Sequence, residues 1–441
     1  MKYLFALISH PAGWLMIFLL SLQPAVSWSH PMPNTVVLLN VHATRIDAEV
    51  QIPLNELQAA FGHAVNDSSA QLVARLGSPL RTYLLQHLRA QTAGGQNWAV
   101  SVDTLAVQET QNPINGTYRE LRAIVRLVPP VGADVRRFVL HYDAVLHQVV
   151  THKILVSIRQ DWANGQLTEE TMVQVGVIEL DIVNNRIPPL TVNLEKGSVW
   201  TGFRAMVELG IRHIAGGTDH LLFLLVLLLP APLLVNGGRW SRFGGARYSL
   251  KRLLLIISAF TIGHSLTLLM GALSLVRLPG QPIEVLIAVS ILVSAVHAVR
   301  PIFPGREGWV AVGFGLIHGL AFADTLTNLR LDAGPMAVSI LGFNLGIELM
   351  QLLVITLTIP WLMLLSRTPA YRGVRLTGAL LAAVAAVAWV VERVTGQGNG
   401  VSKGVEQVTY YAPYGLGVMA VIALLLTWRM KRKVNFLFSS R

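Results

Sequence analysis

Cysteine is absent from all 441 residues, which excludes disulfides and thiolate metal sites. Any metal must be held by His, Asp, Glu, Asn, Met or backbone oxygen, a donor set that favours Ni, Co or Zn over Cu(I). Charge is scarce as well: 13% of residues are charged, 53% are hydrophobic, and the mean hydropathy is +0.52. Acids are fewer than bases, 24 against 35. In a soluble protein the resulting net charge of +11 would suggest nucleic acid. Here the bases of the second half fall in short loops between apolar runs, where they orient a membrane protein, and nucleic acid is excluded as a partner. No nucleotide-binding motif, internal repeat or low-complexity tract is present.

The N-terminus reads as a signal peptide over 1–29. Lys2 precedes the apolar run Trp14–Leu20, and Ser27-Trp28-Ser29 fits a small-x-small cleavage site. Cleavage there would make His30 the first mature residue, although a terminal His-Pro-Met-Pro is more simply a flexible end than a metal ligand. From 30 to 196 the composition is that of an exported, β-sandwich-like domain. Alternating or β-branched runs such as 35–41, 46–52, 121–127, 153–158 and 173–180 are separated by turn residues. One helix is expected near 80–90. The six histidines of this domain outside His30 show no ligand spacing.

Residues 197–212 read as an interfacial amphipathic helix, with Arg204, Glu208 and Arg212 on one face and Phe203, Met206, Val207 and Ile211 on the other. An α-helical polytopic bundle of about seven spans follows over 213–428, at about 213–235, 253–275, 282–303, 308–326, 335–365, 375–395 and 414–428. The first loop carries Arg239, Arg242, Arg247, Lys251 and Arg252 with no acid; the third and fifth are also basic, as is the tail over 429–441. Odd-numbered loops and the C-terminus are therefore expected in the cytoplasm, and the β domain outside an inner membrane.

An ionisable group in hydrocarbon costs about 2.5–3.5 kcal/mol or more, so it persists where it faces a cavity, a partner or an ion. His213, Asp219 and His220 stand together at the mouth of the first apolar run. On one helix the spacing of seven would place both imidazoles on one face, while Gly216-Gly217 lets that helix open. His264 lies in the second span and His318 in the fourth, beside the small-residue stripe Gly315, Gly319, Ala323. Asn344, Glu348 and Gln351 share a face of the fifth. Ser290 reads as bonding its own backbone, and His297 as an interfacial residue. Glu284 and Asp324 read equally as span ends.

These segments resemble the HupE/UreJ family of membrane proteins, associated with hydrogenase and urease maturation and regarded as nickel or cobalt permeases. The family's first-span signature, His-Pro-x-x-Gly-x-Asp-His, is matched by His213, Gly217, Asp219 and His220, with Ile214 in place of proline. Phe260–Thr267, Phe314–Phe322 and Phe343–Glu348 are similar to the family's later segments, and a long exported domain marks one of its subgroups.

The resulting expectation is a divalent transition-metal permease, with Ni, Co or Zn as substrate or bound ion. His213, His220, His264 and His318 would bind the metal. Asp219 and Glu348 would offset its charge, and Asn344 would orient a ligand or add an oxygen. Binding should weaken as pH falls through the histidine range near about 6.5. Two other readings stay open. One is an intramembrane zinc-dependent hydrolase. The other is a membrane-anchored metal-binding or assembly module whose exported domain meets a protein partner.

Overall fold

The computed structural model describes residues 33–439 except 66–68, 113–115, 274, 277 and 330. The leader expected over 1–29, and His30 with it, lie outside the described residues. The N-terminal domain begins with β1 (Thr35–Val41) and β2 (Ile46–Pro53), then the helices α1 (Leu54–Phe61) and α2 (Ser69–His87). There follow β3 (Leu88–Gln91), β4 (Ala99–Asn112), β5 (Gly116–Val128), β6 (Arg137–Tyr142), β7 (Ile154–Asp161), β8 (Val173–Ile178) and β9 (Leu190–Asn193). Six strands form one sheet in the order β4-β5-β2-β1-β7-β8, and β3-β6-β9 form a second. All pairs are antiparallel except β1 with β7.

Strand alternation explains the layering. On β5, Leu121, Ala123, Val125 and Leu127 are buried, while Arg122 and Arg126 face outward to pair with Glu49, Glu120 and Asp103. Inward residues of both sheets, among them Val37, Leu39, Leu121, Phe138, Leu140 and Val192, share one core. The helix expected near 80–90 is longer and earlier, and 88–91 is an edge strand.

A buried histidine ties the start of β1 into this core. The His152 Nε2 accepts hydrogen bonds from the Thr35 hydroxyl (2.7 Å) and the Thr35 amide (3.3 Å), so the ring proton sits on Nδ1. A second proton would have to enter between two donors. Burial lowers the His152 pKa from 6.5 to about 4. The unfolded chain takes up that proton near pH 6.5 and the folded chain resists it, so stability is retained above that pH and lost as pH falls toward 4. The Glu56 carboxylate 3.4 Å from Nδ1 favours the charged ring and makes about 3 kcal/mol an upper bound on the loss. Thermal unfolding of the full-length protein between pH 7 and 4 should show this decline, and His152→Gln should flatten it.

The second half is helical: α3 (Val199–Gly216), α4 (Thr218–Leu228), α5 (Ala246–Ala272), α6 (Gly280–Val299), α7 (Glu307–Asn328), α8 (Ala333–Leu365), α9 (Tyr371–Thr395), α10 (Gly400–Tyr410) and α11 (Ala412–Ser439). Among the described residues six of these are long and apolar enough to cross a membrane, or seven if α3 and α4 count as one broken span. The chain is a multi-pass membrane protein. On α8 the leucines at 341, 345, 349, 353 and 357 are all exposed, four apart, as a lipid-facing stripe requires.

The first span differs from expectation. The helix expected to stop at 212 runs on to Gly216 with Ser198 as its N-cap, and the chain then turns by 72° into α4. Helix α4 ends at Leu228, and a small hairpin (β10, Leu233–Asn236, and β11, Arg239–Phe243) follows before α5. Nor does α3 present only the expected face. Gly202, Met206, Gly210 and Ile214 form a buried line, four apart. Gly210 lies so close to the backbone of Phe343 and Ile347 on α8 that a Cβ would overlap it. At its start, Gly202 packs on Trp162 of the β domain. Trp162 and Leu167 thereby join the cluster formed by Leu326, Leu329 and Ile340 at one end of the bundle.

Candidate metal centre

The break at Gly217 builds the site. Its φ of −80° is ordinary, so glycine is required there for space. A Cβ would lie 2.7 Å from His220 Nδ1, 2.9 Å from the His213 carbonyl and 3.3 Å from Asp219 Oδ1. Asp219 stands in the first turn of α4, where a carboxylate meets the positive end of the helix. Its Oδ1 accepts from the His220 amide (2.9 Å) and from Nδ1 of the same ring (2.8 Å). The His220 ring proton is thus on Nδ1, and Nε2 keeps its lone pair.

Two other histidines are prepared in the same way. His264, buried on α5, meets Asn344 of α8 at 3.3 Å through Nδ1 and Oδ1. The Asn344 amide nitrogen donates to the Ile340 carbonyl, which turns Oδ1 toward the ring and makes Nδ1 the donor. His318, buried on α7, meets Ser290 Oγ of α6 at 3.1 Å through Nε2. Ser290 has one hydroxyl proton and gives it to the Ile287 carbonyl (2.7 Å), so it must accept from the ring. Nδ1 is then the bare nitrogen of His318. Buried atoms without a hydrogen-bond partner include His213 Nε2, His220 Nε2, His264 Nε2 and His318 Nδ1.

The rings form a row. Centroids of His264 and His213 are 6.4 Å apart, those of His213 and His220 are 4.6 Å apart, and those of His220 and His318 are 5.1 Å apart. Phe223, Phe260, Phe322 and Phe343 wall it with apolar surface. His213 and His220 meet across the bend between two helices, not along one helix face. Among the described residues, no group of three or more His, Asp or Glu side chains is arranged to hold a metal ion.

The remaining expected residues are placed as follows. Glu348 is half-buried one turn beyond Asn344 and, among the described residues, has no hydrogen bond or ion pair that joins it to the row. Gln351 is buried with Oε1 unpartnered. His297 lies near the far end of α6, buried in the protein, stacked 3.8 Å from Phe303 and with Glu307 3.9 Å away. Of the Asp324 side chain nothing is described. Sequence reasoning missed the part Ser290 plays toward His318, and it missed Arg393. In the β domain the structure also brings together histidines that no spacing linked. His87 contacts Asp143 at 2.8 Å and stacks on His147 at 4.2 Å.

Beside the row, the bend opens on a cavity of ≈ 600 Å³ lined by Gly217, Asp219, Glu284, Trp389, Arg393 and Glu406. Residues 190–393 match the family model described as HupE / UreJ protein. This region belongs to the HupE/UreJ family. The match contains all four histidines of the row with Asp219, Ser290 and Asn344, so the HupE/UreJ region holds the whole site. No curated protein and no solved structure matches the chain.

Proposed function

We propose that the protein is a nickel- or cobalt-type divalent transition-metal permease of the inner membrane, with its β domain exported and its C-terminus cytoplasmic. One observation carries the reading. Three imidazoles from three helices each spend their N–H on a partner, Asp219, Asn344 or Ser290, and keep a bare nitrogen buried in a row walled by phenylalanine rings. Buried unpartnered nitrogens are costly in a scaffold. Neutral imidazole whose other nitrogen donates to a carboxylate or carbonyl-type oxygen is the prepared form of a metal ligand. Family membership supports a nickel- or cobalt-related membrane role.

The row suits a cargo better than a resident ion. Conduction needs sites that bind well enough to admit an ion and weakly enough to release it, and successive sites of low coordination do this. Asp219, bonded to His220 within the row and lining the cavity, supplies negative charge that lowers the cost of bringing a dication into low dielectric. Imidazole nitrogens select borderline ions over Mg and Ca.

Flux into liposomes tests the proposal. Purified protein reconstituted at defined orientation should carry Ni2+ or Co2+ to an internal chelator, and Mg2+ should not follow. Absence of flux together with tightly retained stoichiometric zinc and hydrolysis of a lipid would replace the permease with an intramembrane hydrolase.

A further inference from the structure

Arg393 lines the cavity beside Asp219 and pairs with it. It lies in the last turn of α9, and its Nη2 donates to Asp219 Oδ2 at 3.2 Å. Its Nε is 3.7 Å from Glu284 Oε2, and Nη1 donates to the Glu284 carbonyl at 2.8 Å. Asp219 therefore has one oxygen on His220 and the other on a guanidinium. The wall around it also carries Glu392 and Glu406, and Arg393 is the base among the cavity's lining residues. Both side chains of the Arg393–Asp219 pair are 18% exposed, so solvent reaches the pair and water or an ion can exchange there.

We propose that Arg393 is a tethered counter-ion that holds Asp219 in the empty state and is displaced by the entering divalent cation. The inference rests on the permease reading and concerns how that site is guarded. A carboxylate between the cavity and the buried imidazoles would be costly to leave unpaired, and a permanent partner would block the cargo. A guanidinium on the last turn of a helix meets both needs. Its bond to the Glu284 carbonyl keeps it within reach when Asp219 is taken. The dication, with twice the charge, wins Asp219 where a monovalent ion would not, so the pair also acts against Na+ and K+.

A simple strap between α6 and α9 is the competing role for the same contacts, since Gln281 also bridges these ends by donating to the Arg393 carbonyl at 2.8 Å. The two roles differ in sign. Equilibrium binding of Ni2+ or Co2+ to the full-length protein in detergent should tighten about tenfold in Arg393→Gln, the gain expected when a competing state that holds about nine-tenths of the population is removed. Arg393→Lys, which keeps the charge, should stay near wild type. Weaker or unchanged binding in Arg393→Gln, with metal still lost on His220→Ala, would overturn the counter-ion and leave the permease standing. Absence of binding in both wild type and Arg393→Gln would overturn both.

A measurement on the wild-type protein guards against misfolding of the variant. Phenylglyoxal modification of Arg393, read by mass spectrometry, should rise several-fold when Ni2+ is added, because displacement frees the guanidinium. Unchanged or reduced labelling would overturn the proposal.

Discussion

Replacing His220 by alanine is expected to lower Ni2+ or Co2+ flux at least about a hundredfold, more than loss of an outer partner of a metal ligand commonly costs. His220 is the link of the row: 4.6 Å separate its ring from His213 and 5.1 Å from His318. Without it the two halves of the row have no intermediate donor, and Asp219 loses the ring that carries its charge inward. Alanine is a good helix former and sits inside α4, so the fold should persist. Flux and thermal stability measured on one preparation separate the two effects. Ser290→Ala and Asn344→Leu should act less, about 10- to 100-fold on metal affinity, because each leaves its imidazole in place without the partner that fixes the ring proton. Wild-type flux in His220→Ala would remove the row from the mechanism.

Much of this arrangement is legible in the chain because it follows from cost. A histidine in hydrocarbon demands a reason, and His213, His220, His264 and His318 stand out on that ground alone. The spans are legible from apolar length, and the strands of the β domain from alternation, since both signals are local. Pairing between distant segments is not. Nothing in residues 35–41 and 154–161 tells that β1 and β7 run parallel, and nothing near Ser290 names His318.

The bend at Gly217 is half legible. Two glycines announce a weak point, but a broken helix and an intact one place His213 and His220 differently, and composition does not choose between them. Glu348 shows the limit of that signal: helical spacing puts it with Asn344, while among the described residues only Asn344 of the two is linked to a ring. Arg393 escapes because a base at a helix end reads as a side chain reaching for water. Its pairing with Asp219, 174 residues earlier, is a property of the assembled bundle.

The same nonlocal packing predicts which small residues cannot change. Gly315 of α7 lies against α5 so closely that an added Cβ would overlap the Phe260 carbonyl oxygen and come within 2.9 Å of the His264 amide nitrogen. Backbone cannot swing aside as a side chain can, so Gly315→Leu must push the helices apart. Overpacking costs about 1–3 kcal/mol where side chains can adjust, and a clash with main chain belongs at or beyond the upper end. The separation would also move His264 and His318, one on each helix, out of the row. Loss of thermal stability by many degrees and loss of metal binding should therefore appear together. Gly313→Leu, two residues away on the same helix, is the control, because a Cβ there meets nothing within 4 Å. Equal damage from both substitutions would show that α7 rejects leucine for reasons of insertion or helix formation. Damage confined to Gly315 would show that the row depends on two backbones held in contact.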